Sequence, residues 1–342
     1  MSQEVAEIPM IAKGILEDDM IHDALARSFP PKKILTMAHG SSSAAVDHFI
    51  NGLEDYAPGW VSHCDVSSLM ALRDSVCLKD TWLIVVSQSG MSPDLSLAAM
   101  RAKSQGAFVI AFINKPGSTL ASVADIIIPI GAGEEKAVPA TKSFIASIIV
   151  LIRWWLSINP NQGLLDSLHT WSLKLDHIDR QEWLSAVKLF SKNAHAYILS
   201  PYHSKAIANE MALKLKETTL IHAESFTFTQ FAHGPMALLS REATLLAFLP
   251  DETTFYQALD TLKLLDQSCQ GALLIACQPK CYKEISEQLT KAVCLPIPTN
   301  TCAWLDAISS MIPFYGMVEQ IAQDLGLDPD QPRFLRKETA TK

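Results

Sequence analysis

The chain has 342 residues, 49% of them hydrophobic, with a formal net charge of −8. This composition predicts a folded protein with a large core, and the absence of Lys/Arg blocks argues against a nucleic-acid partner. Seven cysteines without metal-ligand spacing indicate reduced thiols, and with an acidic N-terminus unlike a signal peptide they predict a cytoplasmic location. The longest apolar stretch, 144–156, is too short for a bilayer, so a buried helix and no membrane association are expected.

Strand, turn and helix patterns alternate through the first half of the chain. A helix lying on the surface is predicted over 5–28. A strand at 33–38, a Gly/Ser turn at 39–43 and a helix at 44–53 follow. Further strands are predicted near 60–66 and at 83–86, 108–113 and 124–129. This alternation predicts an α/β fold with a doubly wound, mostly parallel sheet of about five strands.

The turn after the strand at 83–86 is the most distinctive stretch of the sequence. It carries Ser87, Gln88, Ser89 and Ser92 ahead of a helical pattern at 95–103. Hydroxyl and amide groups at the carboxyl end of a parallel strand, facing a helix N-terminus, suit a phosphate. Because Gly-x-Gly-x-x-Gly is absent, the turn favours a sugar phosphate over a dinucleotide, although an ordinary capped βα turn has the same pattern.

Two serines of the preceding turn, Ser41 and Ser42, also precede a helix. They would reach the same ligand as the second turn if the two strands are neighbours in the sheet.

The second half of the chain repeats the pattern of the first. Residues 196–218 repeat the order of 33–53, and 243–252 with the following helix repeat 81–103. We therefore predict a tandem duplication: an N-terminal helical segment at 1–30, domains at 31–160 and 161–327, and a tail at 328–342. The acidic turn at 249–252 replaces the serine-rich turn, so only the first copy is expected to bind an anion.

One predicted helix of the second copy carries acid–base groups. Glu210, Lys214 and Glu217 share a face at spacings of four and three residues, which suits a base beside a cation that tunes it. A surface ion-pair ladder has the same spacing. His233 lies in a tight turn, where a single histidine is more often structural than catalytic.

The loop at 131–142 combines small residues with Glu134, Glu135 and Lys142. A solvated rim is the simpler interpretation of these three charged side chains.

Six motifs occur in a fixed order along the chain, at 87–90, 138–144, 213–218, 221–224, 233–235 and 330–335. In this order they resemble the sugar isomerase (SIS) domain family, and most closely the isomerase half of glucosamine 6-phosphate synthase. The resemblance covers roughly 33–342 and implies two SIS domains.

The resemblance also implies roles for individual residues. Glu217 matches the base that moves a proton between C1 and C2, and Lys214 matches its nearby cation. His233 matches the ring-opening histidine, which in the family reaches into the neighbouring subunit's site, so a homodimer is implied. Lys337 matches the Schiff-base lysine. The expected substrate-binding residues are Ser41, Ser42, Ser87, Gln88, Ser89, Ser92 and Val138.

The activity implied by the resemblance is that of a glucosamine 6-phosphate deaminase, which converts the sugar and water to fructose 6-phosphate and ammonia without a metal or cofactor. The glutaminase domain of the synthase is expected to be missing, so glutamine is not expected to supply ammonia. Met91, Pro139–Ala140 and Arg336 depart from the family pattern. These departures leave open an isomerase or deglycase of another amino-sugar or fructosamine phosphate. A sugar-phosphate sensor without turnover is the third hypothesis.

Overall fold

A computed structural model describes residues 1–18, 31–53, 61–71, 75–191, 194–299 and 302–337. The chain divides into two compact units. The N-terminal unit comprises the described residues of Glu7–Lys136 and Ala140–Leu165, with 335–337. The C-terminal unit comprises Met1–Ala6, Ala137–Pro139 and the described residues of Asp166–Phe334. The domain boundaries predicted from the sequence stay predictions.

Five parallel strands form the sheet of the N-terminal unit, in the order β2-β1-β3-β4-β5. The strands are β1 Lys33–Ala38, β2 Val61–His63, β3 Thr81–Ser87, β4 Phe108–Ile113 and β5 Ile126–Pro129. The helices described within residues 1–158 are α1 Ser2–Glu17, α2 Gly40–Leu53, α3 Val66–Met70, α4 Pro93–Ser104, α5 Thr119–Val123 and α6 Lys142–Ile158. The five predicted strands are confirmed, but the second is shorter than predicted near 60–66: it ends at His63, Val66 begins α3, and residue 60 lies outside the described residues.

Continuous apolar runs explain why the middle of this sheet is buried. All seven residues of β3 are buried, as expected for a parallel strand covered by helices on both faces. Helix α6 is buried over Lys142–Leu156, because its apolar residues occupy every side of the helix. The predicted buried helix is therefore confirmed.

The C-terminal unit repeats the same sheet with the order β10-β9-β8-β6-β7. Its strands are β6 His195–Ser200, β7 His222–Thr227, β8 Thr244–Leu249, β9 Ala272–Cys277 and β10 Val293–Pro296. The remaining helices are α7 Gln162–Lys174, α8 Gln181–Ser185, α9 Val187–Ser191, α10 Lys205–Thr219, α11 Phe228–Ala232, α12 Glu252–Ser268, α13 Tyr282–Gln288, α14 Ala303–Ser309 and α15 Met311–Asp324. Since both sheets have one strand order and only parallel pairs, the predicted tandem duplication is confirmed.

Helix α1 differs from the surface helix predicted over 5–28. It ends at Glu17, and 19–28 lie outside the described residues. Val5, Ile8 and Ala12 are at most 2% exposed, because their spacing of three and four residues makes one apolar face that packs inward. In the described residues no helix is long and apolar enough to span a membrane.

Candidate active site

The two serine-rich turns of the N-terminal unit follow neighbouring strands. Strands β1 and β3 pair in parallel up to the register of Ala38 with Val86, so the turns after them begin side by side at the carboxyl edge of the sheet. Ser41 and Ser42 lie half-buried in the first turn of α2. The condition set by the sequence analysis, that the two strands are neighbours, is therefore met. Their role in binding a ligand stays a prediction.

Hydrogen bonds within the turn after β3 fix its shape and leave polar groups available. Buried Ser87 accepts at Oγ from the Gly90 backbone N–H at 3.0 Å, and Ser89 Oγ accepts from the Met91 N–H at 3.2 Å. Both hydroxyl hydrogens can still donate outward. Ser92 is the N-cap of α4 but makes no capping bond with its side chain. Within the described part of the chain, buried Gln88 Nε2 has no hydrogen-bond partner, which suits an oxyanion ligand.

A histidine–aspartate pair links these turns and was not anticipated from the sequence. His39 follows β1, and its Nε2 lies 2.8 Å from Asp94 Oδ2 in the first turn of α4. The side chain of Asp94 also accepts from the Leu95 N–H at 2.8 Å. The position of His39 beside the Gly/Ser turn was the available signal, but its partner lies 55 residues away.

Gly90 allows the tight turn, and its substitution by alanine should disrupt it. Its φ is +65°, and an added Cβ would lie 2.1 Å from Ser118 Oγ and 2.6 Å from Ser118 Cβ. Left-handed strain and overpacking together should lower the free energy of unfolding by about 2–4 kcal/mol in Gly90→Ala, measured by chemical denaturation. Gly117→Ala is the matched control, because Gly117 has φ +82° with open space around it. Equal losses in both variants would contradict the packing argument.

Helix α10 of the C-terminal unit places three of its charged residues, Glu210, Lys214 and Glu217, in one cluster. Glu210 and Lys214 are fully buried, and the Glu217 side chain is 21% exposed. Lys214 Nζ lies 3.5 Å from Glu210 Oε1 and donates a short hydrogen bond to Glu217 Oε2. The surface-ladder interpretation is therefore wrong. Burying an ammonium costs free energy even when carboxylates compensate it, so such a cluster is typical of functional sites.

Lys205, at the start of α10, has a lowered pKa and was not predicted from the sequence to be a site residue. Its Nζ donates to Asn209 Oδ1, Ser225 O and Ser225 Oγ, each at 2.6 Å. Burial, with the charge of Lys216, lowers the pKa of Lys205 to about 8.

This shift predicts a pH effect on stability. Between pH 8 and the higher pKa of the unfolded chain, the folded state has lost the Lys205 proton while the unfolded state still binds it. The free energy of unfolding of wild type relative to Lys205→Gln should therefore rise as pH increases from 7 to 10. Denaturation curves of both proteins at each pH measure this difference, and a constant difference would contradict the assigned shift.

Two other predicted site residues of the C-terminal unit, His233 and Val138, lie outside helix α10. His233 is exposed at the end of α11, where its N–H bonds to Thr229 O and Gln230 O at 3.2 Å. Val138 is half-buried, and its N–H donates to Asp330 O at 2.9 Å. The carboxylate of Asp330 also binds the N-terminal ammonium. The roles of His233 and Val138 stay predictions.

In the N-terminal unit, Lys337 binds the carboxylate of Glu135, a residue that was interpreted from the sequence as part of a solvated rim. Its Nζ donates to Glu135 Oε2 at 2.6 Å. The same carboxylate accepts from the Thr141 and Ser143 N–H groups at 3.0 Å and from Ser143 Oγ at 2.7 Å. Burial raises the pKa of Glu135, but the Lys337 charge and these hydrogen bonds outweigh it and hold the pKa below its ordinary value.

The rim interpretation applies to one of its three residues. The side chain of Glu134 is 77% exposed. Glu135 is 3% exposed, and Lys142 is 2% exposed and pairs with Glu7 at 2.5 Å. The interpretation is therefore wrong for Glu135 and Lys142.

Two parallel five-stranded sheets with one strand order define this class of protein as a tandem α/β duplication of the doubly wound type. Residues 29–152 match the family described as SIS domain. The chain is a SIS-domain protein, homologous to the isomerase domain of glutamine–fructose-6-phosphate aminotransferase.

Known proteins resemble the chain over most of its length. A glutamine–fructose-6-phosphate aminotransferase of Legionella pneumophila is 31% identical over 288 residues, which are 82% of this chain and 46% of that protein. The chain spans about half the length of the curated relatives it matches. The C-terminal domain of glucosamine-fructose-6-phosphate aminotransferase from Francisella tularensis has a TM-score of 0.82 at 24% identity, over 96% of this chain and 97% of that chain. A glucosamine-6-phosphate deaminase from Thermotoga maritima has a TM-score of 0.70 at 17% identity, over 99% of both chains.

Proposed function

We propose that the chain is a phosphosugar aldose–ketose isomerase that acts as a deaminase, converting glucosamine 6-phosphate and water to fructose 6-phosphate and ammonia. The observation that carries this proposal is the buried cluster of Glu210, Lys214 and Glu217, in a chain homologous to an isomerase domain. A carboxylate beside a buried ammonium suits proton transfer at a carbon next to a carbonyl. Similarity of fold to a deaminase supports the direction of the reaction as an analogy.

In the proposed reaction, the serine-rich turns of the N-terminal unit bind the phosphate. His233, contributed across a homodimer, opens the sugar ring. Glu217 removes the C2 proton and returns a proton to C1, so that the aldose becomes a fructose imine through an enolamine. Water adds to the imine carbon and ammonia leaves, which balances the reaction without a redox partner. Lys214 stabilises the carboxylate form of Glu217 before it takes the C2 proton and after it returns a proton to C1.

Lys337 has a second proposed role as the amine that holds the open-chain carbonyl as a Schiff base. Its ammonium donates to Glu135, and it must lose a proton before it can attack a carbonyl. Glu135 is in hydrogen-bonding contact to accept that proton. Borohydride added with fructose 6-phosphate should therefore trap a covalent adduct on Lys337, detected by peptide mass spectrometry, and an adduct on another lysine would contradict this role.

A panel of phosphosugars tests the proposal against the alternatives. Purified protein is incubated with glucosamine 6-phosphate, fructosamine 6-phosphate and fructose 6-phosphate, and ammonia and sugar products are followed by coupled assay and NMR. Ammonia release from glucosamine 6-phosphate is the expected result. Interconversion of aldose and ketose phosphates without ammonia would retain the isomerase and reject the deaminase. Binding of phosphosugars without any product would make the chain a sensor and overturn the proposal.

A further inference from the structure

A polar cavity of about 490 Å³ lies in the C-terminal unit, and none of its lining residues was given a role above. It is bounded by the ends of β6 and β7 and by α12, the helix that follows β8. Strands β6 and β8 correspond to β1 and β3 in the duplicated sheet order. The cavity therefore occupies the position that the serine-rich turns occupy in the N-terminal unit. Its volume falls in the range of small-molecule sites, about 300–1,000 Å³.

One buried side chain of this cavity lacks a partner. Ser200, the last residue of β6, is fully buried and lines the cavity, and its Oγ has no hydrogen-bond partner within the described part of the chain. A buried hydroxyl without a partner costs free energy unless a ligand or water completes it. The unpartnered Oγ is thus an independent indication that this cavity takes a polar occupant.

Other polar side chains of the lining divide into two groups. Thr227 and Gln230 satisfy each other in a capping box, and Thr254 Oγ1 donates to Asp251 Oδ2 at 2.8 Å. The polar side chains that remain for a ligand belong to Ser200, Tyr202, Thr229, Gln257 and Thr261. They offer both donors and acceptors, which matches the hydroxyl groups of a sugar.

Charge at this edge disfavours an anion. Among the described residues, no Lys or Arg lines the cavity. An ionisable pair beside it, Asp251 with His203, has its Oδ2 and Nε2 atoms 3.3 Å apart and adds no net positive charge. The rings of Tyr202 and Phe228 also line the cavity, and aromatic faces pack well against the C–H face of a sugar ring.

From these observations we infer that the C-terminal unit binds an uncharged sugar in the cavity beside Ser200. This site shares no lining residue with the proposed phosphosugar site and needs no turnover. Its occupant lacks the phosphate that the N-terminal unit recognises.

Ligand-observed NMR titration tests the inference with glucose and N-acetylglucosamine as uncharged probes and inorganic phosphate as the anion probe. Wild type should bind at least one of the sugars saturably at this site. Ser200→Ala should weaken that sugar about two- to tenfold, the effect of one hydrogen bond. Thr261→Trp, which fills the cavity from a half-buried position, should abolish sugar binding. Ser122→Ala, at an exposed position of α5, is the matched control and should leave sugar affinity unchanged, whereas Ser87→Ala would weaken only a sugar that binds at the proposed phosphate turn instead.

The melting temperature of the ligand-free protein distinguishes the loss of a hydrogen bond to the sugar from a folding defect. Removing an unpartnered buried hydroxyl should leave Ser200→Ala as stable as wild type or more stable, while its sugar affinity falls. A general folding defect would lower both the melting temperature and the sugar affinity. The inference is overturned if wild type binds neither sugar, if sugar binding survives Thr261→Trp in the folded variant, or if Ser87→Ala rather than Ser200→Ala weakens it.

Discussion

Replacing Glu217 by glutamine should lower the turnover of glucosamine 6-phosphate about 10²–10⁴-fold, the usual contribution of a positioned proton-transfer group. Glutamine keeps the shape of the side chain but cannot accept the C2 proton. Lys214 retains Glu210 at 3.5 Å as a carboxylate partner, so the variant should fold. Affinity for the phosphosugar should change little, because the proposed phosphate contacts lie in the N-terminal unit.

Glu224→Gln is the matched control for this variant. Glu224 lies in β7 of the same unit, is 47% exposed, and its Oε1 is 3.5 Å from His222 Nε2. It should retain wild-type turnover. If Glu217→Gln kept turnover within a few-fold of wild type, another group would be the base. If binding and turnover fell together, Glu217 would hold the substrate rather than move its proton.

Glu135→Gln should lower the free energy of unfolding by about 1.5–3 kcal/mol at pH 7. The variant loses the negative charge that pairs with Lys337. It also weakens the four hydrogen bonds that the Glu135 side chain accepts from buried or half-buried groups. Chemical denaturation measures the difference. Labelling of Lys337 by an amine reagent should also become faster, because its ion pair is lost.

The pH dependence of this loss follows from the direction of the Glu135 shift. Because the folded pKa lies below the unfolded value of 4.5, the carboxylate stabilises the fold above that value and the contribution disappears as pH falls through the folded pKa. The gap between wild type and Glu135→Gln should therefore narrow in acid. Glu134→Gln is the control, since Glu134 is 77% exposed and its ion pair with Lys136 spans 4.0 Å. Equal stability of the two variants would contradict the proposed contacts of Glu135.

Local patterns were sufficient to predict the sheets. The apolar runs at 33–38, 83–86 and 108–113 form strands because a parallel strand buried on both faces needs side chains that are apolar throughout. Such strands depend on residues that are close together in the sequence, so the sequence of a single chain is sufficient to predict them. The sequence left open whether the two serine turns are adjacent, and the parallel pairing of β1 with β3 decides it.

Burial of charge could not be predicted in the same way. Periodicity places Glu210, Lys214 and Glu217 on one face of α10, but it does not say whether that face meets solvent or protein. Glu135 presents the same difficulty more strongly, because its partner Lys337 is 202 residues away. The nearby small residues suggested a solvated loop, whereas Thr141 and Ser143 at the start of α6 bind the carboxylate. Contacts between distant segments decided these cases.

The most direct measurement is the ratio of ammonia to fructose 6-phosphate released from glucosamine 6-phosphate by the purified protein without glutamine. Wild type should release the two products in equal amounts. Glu217→Gln should release neither at a comparable rate, and Glu224→Gln should behave as wild type. Wild-type protein that binds glucosamine 6-phosphate but releases neither product would contradict the account, and so would equal release by wild type and Glu217→Gln.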